Sequence, residues 1–183
     1  MEVVYRAHAT ASGGGREDGR SATDDGKVDV RLSTPTEMGG KGGDGTNPEQ
    51  LFAAGYAACY LGALRLVSGK AGSPVGPDTK IHSTVGFGKN TKGEGFNLDI
   101  ELKVTDHGLD QAVIDDLIQK AHQVCPYSNA TRGNVDVSLT VSSTSRLKPS
   151  PLVFLPKPMP AVTLVSGPTG VPALPLTSRR APR

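Results

Sequence analysis

The four residues Asn47-Pro48-Glu49-Gln50 write out the start of a helix, and the segment that follows must sit at the centre of any fold this chain adopts. Asn47 is a preferred N-cap type, Pro48 suits the first helical position, and Gln50 is placed to close a capping box. Phe52, Tyr56, Cys59, Ala63 and Leu66 then recur on one face at helical spacing. The small residues Ala53, Ala54, Gly55, Ala57, Ala58, Gly62 and Ala63 among them let another helix approach closely.

Strand and turn signals surround this helix. Val3–Ala11, "VVYRAHATA", reads as a strand, and "DDG" at 24–26 as a turn. Val28, Val30 and Leu32 alternate with Asp29 and Arg31, a half-buried strand. Residues 81–104 read as a hairpin. Ile81, Ser83, Val85 and Phe87 alternate on one side of "GKNTKGEG", and Phe96, Leu98, Ile100, Leu102 and Val104 on the other. A second helix is expected from about Leu109, with Leu109, Val113, Leu117, Ala121 and Val124 as its buried stripe, ending at Cys125-Pro126. Val135, Val137, Leu139 and Val141 close the pattern as a last strand. The order β-β-α-β-β-α-β with hairpin signals predicts an α+β fold, mainly antiparallel sheet with two principal helices.

Composition divides the chain near Ser142. Residues 142–183 hold nine of the 14 prolines and six basic residues with no acid. Proline at that density opposes helix interiors and central strands, so this stretch is expected to be a disordered, Pro-rich extension of a folded domain spanning 1–141. The expected domain carries 14 basic against 18 acidic residues, a net of −4. A mildly acidic domain does not suggest a nucleic-acid surface. No uninterrupted apolar run of about 18 residues stands out and "MEVVYRAHAT" lacks a signal-peptide pattern, so the expectation is a cytoplasmic protein without a membrane partner.

Several motifs can be set aside. "GGKGGDGT" lacks the Gly-Lys-Ser/Thr ending of a phosphate loop, and "GGGREDG" does not match the dinucleotide fingerprint. The four histidines, His8, His82, His107 and His122, do not pair with a cysteine at ligand spacing, so no metal site is expected. The two cysteines, Cys59 and Cys125, remain. They can be inert core residues, a structural disulfide, half of a metal site or a redox pair, and cytosolic thiols are kept reduced, which disfavours a persistent bond. Cys125 stands at a helix end against Pro126, where a thiol has room to move. A thiol reacts as thiolate, and a nearby cation lowers its pKa. Arg16 in "GGGREDG" is a candidate cation, against the plain reading of a solvated loop arginine.

The blocks "GGGREDG", "GGKGGDGTNPEQLFAAGYAACYLGAL" and "AHQVCPYSNATRGNVDV", in that order, resemble the organic hydroperoxide resistance proteins, a branch of the OsmC family. The resemblance runs from about Tyr5 to Val141. It implies an OsmC-like fold in an intertwined homodimer, and a lipoyl-dependent, cysteine-based peroxidase without a bound cofactor. It further implies Cys59 as the peroxidatic and Cys125 as the resolving cysteine, with Arg16 and Glu49 as the charged pair that activates Cys59. The Pro-rich segment departs from the family pattern. Phe52, Tyr56 and Phe96 are candidate walls of an apolar pocket for an organic hydroperoxide, each also readable as plain core. The competing readings are an OsmC-like stress protein of broader peroxide use and a redox sensor built on the same cysteine pair.

Glu49 raises a geometric difficulty. It precedes Cys59 by ten residues, roughly 15 Å along a straight helix. The Glu49 that serves a given Cys59 must therefore sit on a helix break or come from a second subunit packed through the small-residue face.

Overall fold

The computed structural model describes residues 1–143. Three short strands come first: β1 (Ala9–Ser12), β2 (Arg20–Thr23) and β3 (Asp29–Arg31), joined antiparallel in the order β1-β2-β3. A 3₁₀ turn (Thr36–Met38) leads to the long helix α1 (Pro48–Lys70). The strands β4 (Lys80–Lys89) and β5 (Phe96–Asp106) form the expected hairpin, with Val85 opposite Ile100. Helix α2 (Gln111–Val124) and the short α3 (Pro126–Thr131) cross over to β6 (Val137–Ser143), which lies parallel to β5. Parallel neighbours need a long crossover, and the two helices supply it.

The start of α1 forms as its residues require. The Asn47 side chain accepts from the Gln50 N–H at 2.8 Å, and Gln50 Oε1 accepts from the Asn47 N–H at 3.2 Å. From there α1 continues unbroken for 23 residues and packs against β4, α2 and α3.

The core lies between the second sheet and the helices. Tyr56, Tyr60 and Leu64 of α1 meet Ile100, Leu102 and Val104 of β5 and Ile114, Leu117, Ile118 and Ala121 of α2. On β5 the buried residues alternate with exposed Asp99, Glu101 and Lys103, as a one-sided sheet demands. Asp106, buried where β5 ends, accepts from Thr79 Oγ1 and from the Gly108 and Leu109 N–H groups. Burial pushes its carboxyl up, but these bonds outweigh it and hold the group below the ordinary carboxylate value.

Several expectations are corrected. The first strand is shorter than 3–11, with Val3, Val4 and Tyr5 exposed. Strand β2, short and polar as Arg-Ser-Ala-Thr, gave no hydrophobic signal. The α1 stripe is rotated: Tyr60 and Leu64 are buried, whereas Leu66 is 52% exposed. Because α1 is apolar nearly all round, periodicity could not choose its face. On α2, Ile114 and Ile118 take the buried places assigned to Val113 and Val124, which are exposed. The segment after Cys125 is a further short helix, α3. Strand β6 carries the domain through Ser142 and Ser143, and Ser143 Oγ donates to the Leu109 carbonyl. The rest of the expected Pro-rich extension lies outside the described residues.

One further correction concerns α1. By length and composition it is apolar enough to cross a membrane, with a mean hydropathy of 1.4 over its most apolar window. Alanines and glycines lift that average without forming an obvious run of large apolar residues. The helix spends one face on the core just described.

Candidate active site

Cys59 lies in the fourth turn of α1, flanked by the buried rings of Tyr56 and Tyr60. Cys125 occupies the junction at which α2 ends and α3 begins, with an extended backbone (φ −66°, ψ 123°). Pro126 at the first position of α3 cannot continue α2, so the chain turns there. The turn brings the two sulfurs to 3.2 Å. That is longer than a disulfide bond of about 2.0 Å, and both cysteines are free thiols. They differ in exposure: Cys125 is 0% exposed, Cys59 partly so. Burial pushes the Cys59 thiol above its ordinary value. The Tyr127 backbone N–H, donated to the Cys59 sulfur, opposes this, and the neighbouring Cys125 raises the thiol further.

Arg16 and Glu49 form a second cluster. The Arg16 guanidinium donates two parallel bonds to the Glu49 carboxylate, Nη1 to Oε2 at 3.0 Å and Nη2 to Oε1 at 2.8 Å. This two-bond geometry is the strong form of the pair. The seven residues between β1 and β2, Gly13–Gly19, hold the arginine. Gly13 and Gly15 have φ of 78° and 64°, which side-chain-bearing residues rarely adopt, and a Cβ on Gly19 would meet the Gly15 carbonyl at 2.3 Å. Arg16 also lies over the Phe87 ring, 5.3 Å from its centroid. The pair keeps the Glu49 carboxyl below its ordinary value, against the opposing effect of burial.

The two clusters lie apart within one chain. Because α1 runs unbroken from Pro48, Glu49 stays roughly 15 Å from Cys59 along the helix axis. The influences on the Cys59 thiol are burial, the Tyr127 amide and Cys125; Arg16 is not one of them.

The candidate walls divide likewise. Phe52 and Phe96, with Arg16, Pro48, Glu49, Phe87 and Leu98, line a cavity of about 260 Å³. Phe96 is 69% exposed and stacks on Phe87 with ring centroids 4.8 Å apart. Tyr56 belongs to the core: it is fully enclosed, its hydroxyl donates to Ser128 Oγ at 2.9 Å, and its ring backs Phe52 edge-on at 5.8 Å. Sequence reasoning missed Phe87 as a site residue, although strand alternation marked it on one face with Ile81 and Val85; the fold brings Arg16 over its ring. It also missed Tyr127, for which Pro126 was the available signal. A proline opening a helix leaves the next N–H groups without helical acceptors, free to point at a sulfur.

Comparison with known proteins identifies the family. Residues 40–140 match the family model described as OsmC-like protein. The organic hydroperoxide resistance protein of Xanthomonas axonopodis pv. citri is 52% identical over 141 residues, covering 77% of this chain and 96% of that protein. Among solved structures, an organic hydroperoxide resistance protein from Elizabethkingia anophelis superposes with a TM-score of 0.72 at 45% identity, over 78% of this chain and 99% of the other. A relative from Vibrio cholerae, described as a putative organic hydroperoxide resistance protein with captopril bound in one of its active sites, gives 0.69 at 42% identity, over 77% and 94%. The chain therefore belongs to the OsmC-like protein family and, within it, to the organic hydroperoxide resistance proteins.

Proposed function

We propose that this chain is a cysteine-based peroxidase that reduces organic hydroperoxides to alcohols, with Cys59 peroxidatic and Cys125 resolving. The observation that carries the reading is the pair of free thiols 3.2 Å apart with unequal exposure. The partly exposed Cys59 meets substrate first. Its thiolate attacks the terminal oxygen of ROOH, the O–O bond breaks, and RO⁻ leaves and takes a proton to become the alcohol. Cys59 is left as a sulfenic acid. The Cys125 thiolate then attacks the Cys59 sulfur, the S–O bond breaks, water leaves after protonation of hydroxide, and a disulfide remains. An external dithiol of lipoyl type, free or on a carrier protein, returns both thiols and becomes a disulfide itself. No cofactor stays bound.

The charged pair enters from a second subunit. Burial raises the Cys59 thiol, and among the described residues of the chain the group that opposes it is the Tyr127 N–H rather than a cation, so a guanidinium from a second subunit would activate the nucleophile. A partner's Arg16, oriented by its own Glu49, supplies that charge and stabilises the departing alkoxide. A homodimer is supported by two features of the chain. Helix α1 is apolar on faces its own core leaves exposed, with Leu66 at 52%. The β1–β2–β3 sheet, which presents Arg16, has no buried residue within its strands. The cavity beside Arg16, walled by Phe52, Phe87 and Phe96, favours an alkyl group over hydrogen peroxide. The protein acts in the cytoplasm, without nucleic-acid or membrane partners.

The test is turnover with cumene hydroperoxide and dihydrolipoamide. Repeated, rapid consumption is expected. Cys59→Ser should abolish it, and Cys125→Ser should consume a single equivalent and then stall or overoxidise. A single stoichiometric oxidation in the unaltered protein would instead indicate a redox sensor. Equal rates with hydrogen peroxide would indicate the broader OsmC-like activity.

A further inference from the structure

Two tyrosines of α1 hold the junction that carries Cys125. Tyr60 donates its hydroxyl to the Ile118 carbonyl of α2 at 2.6 Å, and Tyr56 donates to Ser128 Oγ of α3 at 2.9 Å. The two bonds therefore grip the chain on either side of residue 125, one on each helix. Both rings are 0% exposed. In a core position phenylalanine would fill nearly the same space without a polar atom to satisfy, so a buried phenol is retained for what its hydroxyl reaches.

The junction needs such a hold. Cys125 N–H still bonds to the Ala121 carbonyl at 2.9 Å, and the Cys125 carbonyl accepts from Asn129 N–H at 3.0 Å. Between them, however, the backbone is extended and Pro126 contributes no N–H, so α2 and α3 are linked without a shared helical bond across Pro126. The Arg132 side chain, just past α3, donates to the His122 carbonyl of α2 at 2.8 Å, and contact of both helices with α1 adds to that hold on the angle between them. On the α3 side the Tyr127 ring completes that contact by lying on the α1 backbone: a Cβ built on Gly55 would stand 3.0 Å from its hydroxyl oxygen.

Resting on the peroxidase reading above, we infer that Tyr56 and Tyr60 are positioning residues for the resolving step, holding Cys125 against Cys59 so that the sulfenic acid is captured before a second peroxide reaches it. The two outcomes compete at one sulfur. Attack by the Cys125 thiolate forms the S–S bond and releases water. Attack on a second ROOH by the sulfenate adds another oxygen and releases a second alcohol, leaving a sulfinic acid. A junction free to swing lowers the first rate and leaves the second alone.

The experiment uses the full chain, reduced and mixed with cumene hydroperoxide. Formation of the sulfenic acid is followed in a Cys125→Ser background, disulfide formation in the two-cysteine protein, and the sulfinic product by intact mass. With Tyr60→Phe, and separately with Ser128→Ala, disulfide formation is expected to slow on the order of 10-fold, the effect of one buried hydrogen bond. The peroxide concentration giving half sulfinic acid should fall by a similar factor, while sulfenic acid formation changes less than about 2-fold. Tyr56→Phe combined with Ser128→Ala should slow resolution no more than Tyr56→Phe alone, because that variant already removes the hydroxyl's bonds to Ser128 Oγ and, at 3.5 Å, Thr131 Oγ1. Disulfide formation at the unaltered rate in both single variants overturns the inference. So does an equal fall in both steps, which marks general loosening of the core. If either phenylalanine variant fails to fold, Ser128→Ala reads the same junction from the α3 side. Failure of the unaltered protein to form the disulfide sinks the peroxidase reading itself, an outcome distinct from these.

Discussion

The two sheets of this chain are built on different terms. The second, β4–β5–β6, covers its inner face with two helices and buries Ile100, Leu102 and Val104 almost completely. The first, β1–β2–β3, has strands of three or four residues, all exposed or half-exposed, and the buried residues beside them are Gly19 in the β1–β2 turn and Leu32 and Ser33 just beyond β3. One sheet makes the fold and positions the cysteines. The other, with its glycine-rich turn, delivers Arg16 to a place where its own chain has no thiol. In the proposed dimer this short sheet, which buries little of its own, holds its ion pair for the other subunit.

This contrast breaks first under core substitution. Leu102→Ala should cost about 2–5 kcal/mol, the usual range for deleting a buried leucine side chain. Urea unfolding would measure it, and the loss should be the same at all protein concentrations. Val30→Ala, on β3, should cost less, about 1 kcal/mol. Its cost should depend on concentration, because in the proposed dimer the second subunit covers that sheet. A Val30→Ala effect as large as that of Leu102→Ala and independent of dilution would mean that the first sheet has a core within its own chain.

The pH dependence of Cys59 sharpens the contrast further. Burial raises the thiol and the Tyr127 N–H opposes it; in the proposed shared site a partner's Arg16 lowers it further. The apparent pKa from iodoacetamide alkylation should therefore lie below the ordinary thiol value in the dimer and rise in Arg16→Leu. The Glu49 carboxyl is held below its ordinary value by Arg16, so the pair it stabilises is fully present above the ordinary carboxylate range. It is lost only as pH falls through the depressed value. Activity should accordingly show no acid limb from Glu49 near neutrality. A limb between about pH 6 and 7 that disappears in Glu49→Gln would contradict the pairing.

The smallest effect is expected from removing residues 144–183. This segment holds nine of the 14 prolines and no acid, and it follows the described part of β6, Val137–Ser143. Activity and Tm should change little, and a large loss of either would show that the segment contributes to the domain.

How far the sequence could be read depended on the kind of signal. The capping box at Asn47, the hairpin around "GKNTKGEG" and the strand ending at Ser143 announced themselves through local chemistry or a clean period of two. The buried face of α1 did not, because a helix apolar on most sides has no preferred face until its neighbours are placed. Strand β2 was silent because its four residues bury little. The nearness of Cys59 and Cys125, 66 positions apart, is a product of the α2–α3 turn and was suggested by family resemblance alone. The Arg16–Glu49 pair was suggested in the same way, and its double hydrogen bond depends on a glycine turn whose shape the residue types permit without dictating. The distance argument was different: the spacing of Glu49 and Cys59 on one helix was legible, and the unbroken helix gives it force.

The central claim is that each catalytic centre joins Cys59 of one subunit to Arg16 and Glu49 of the other. Subunit exchange between two inactive variants, Cys59→Ser and Glu49→Ala, tests it most directly. A mixed dimer carries one centre with both defects and one centre with neither, so cumene hydroperoxide turnover should reappear, approaching half the unaltered activity per mixed dimer. Confirmed exchange with no return of activity would contradict the account and put Glu49 to work within its own chain.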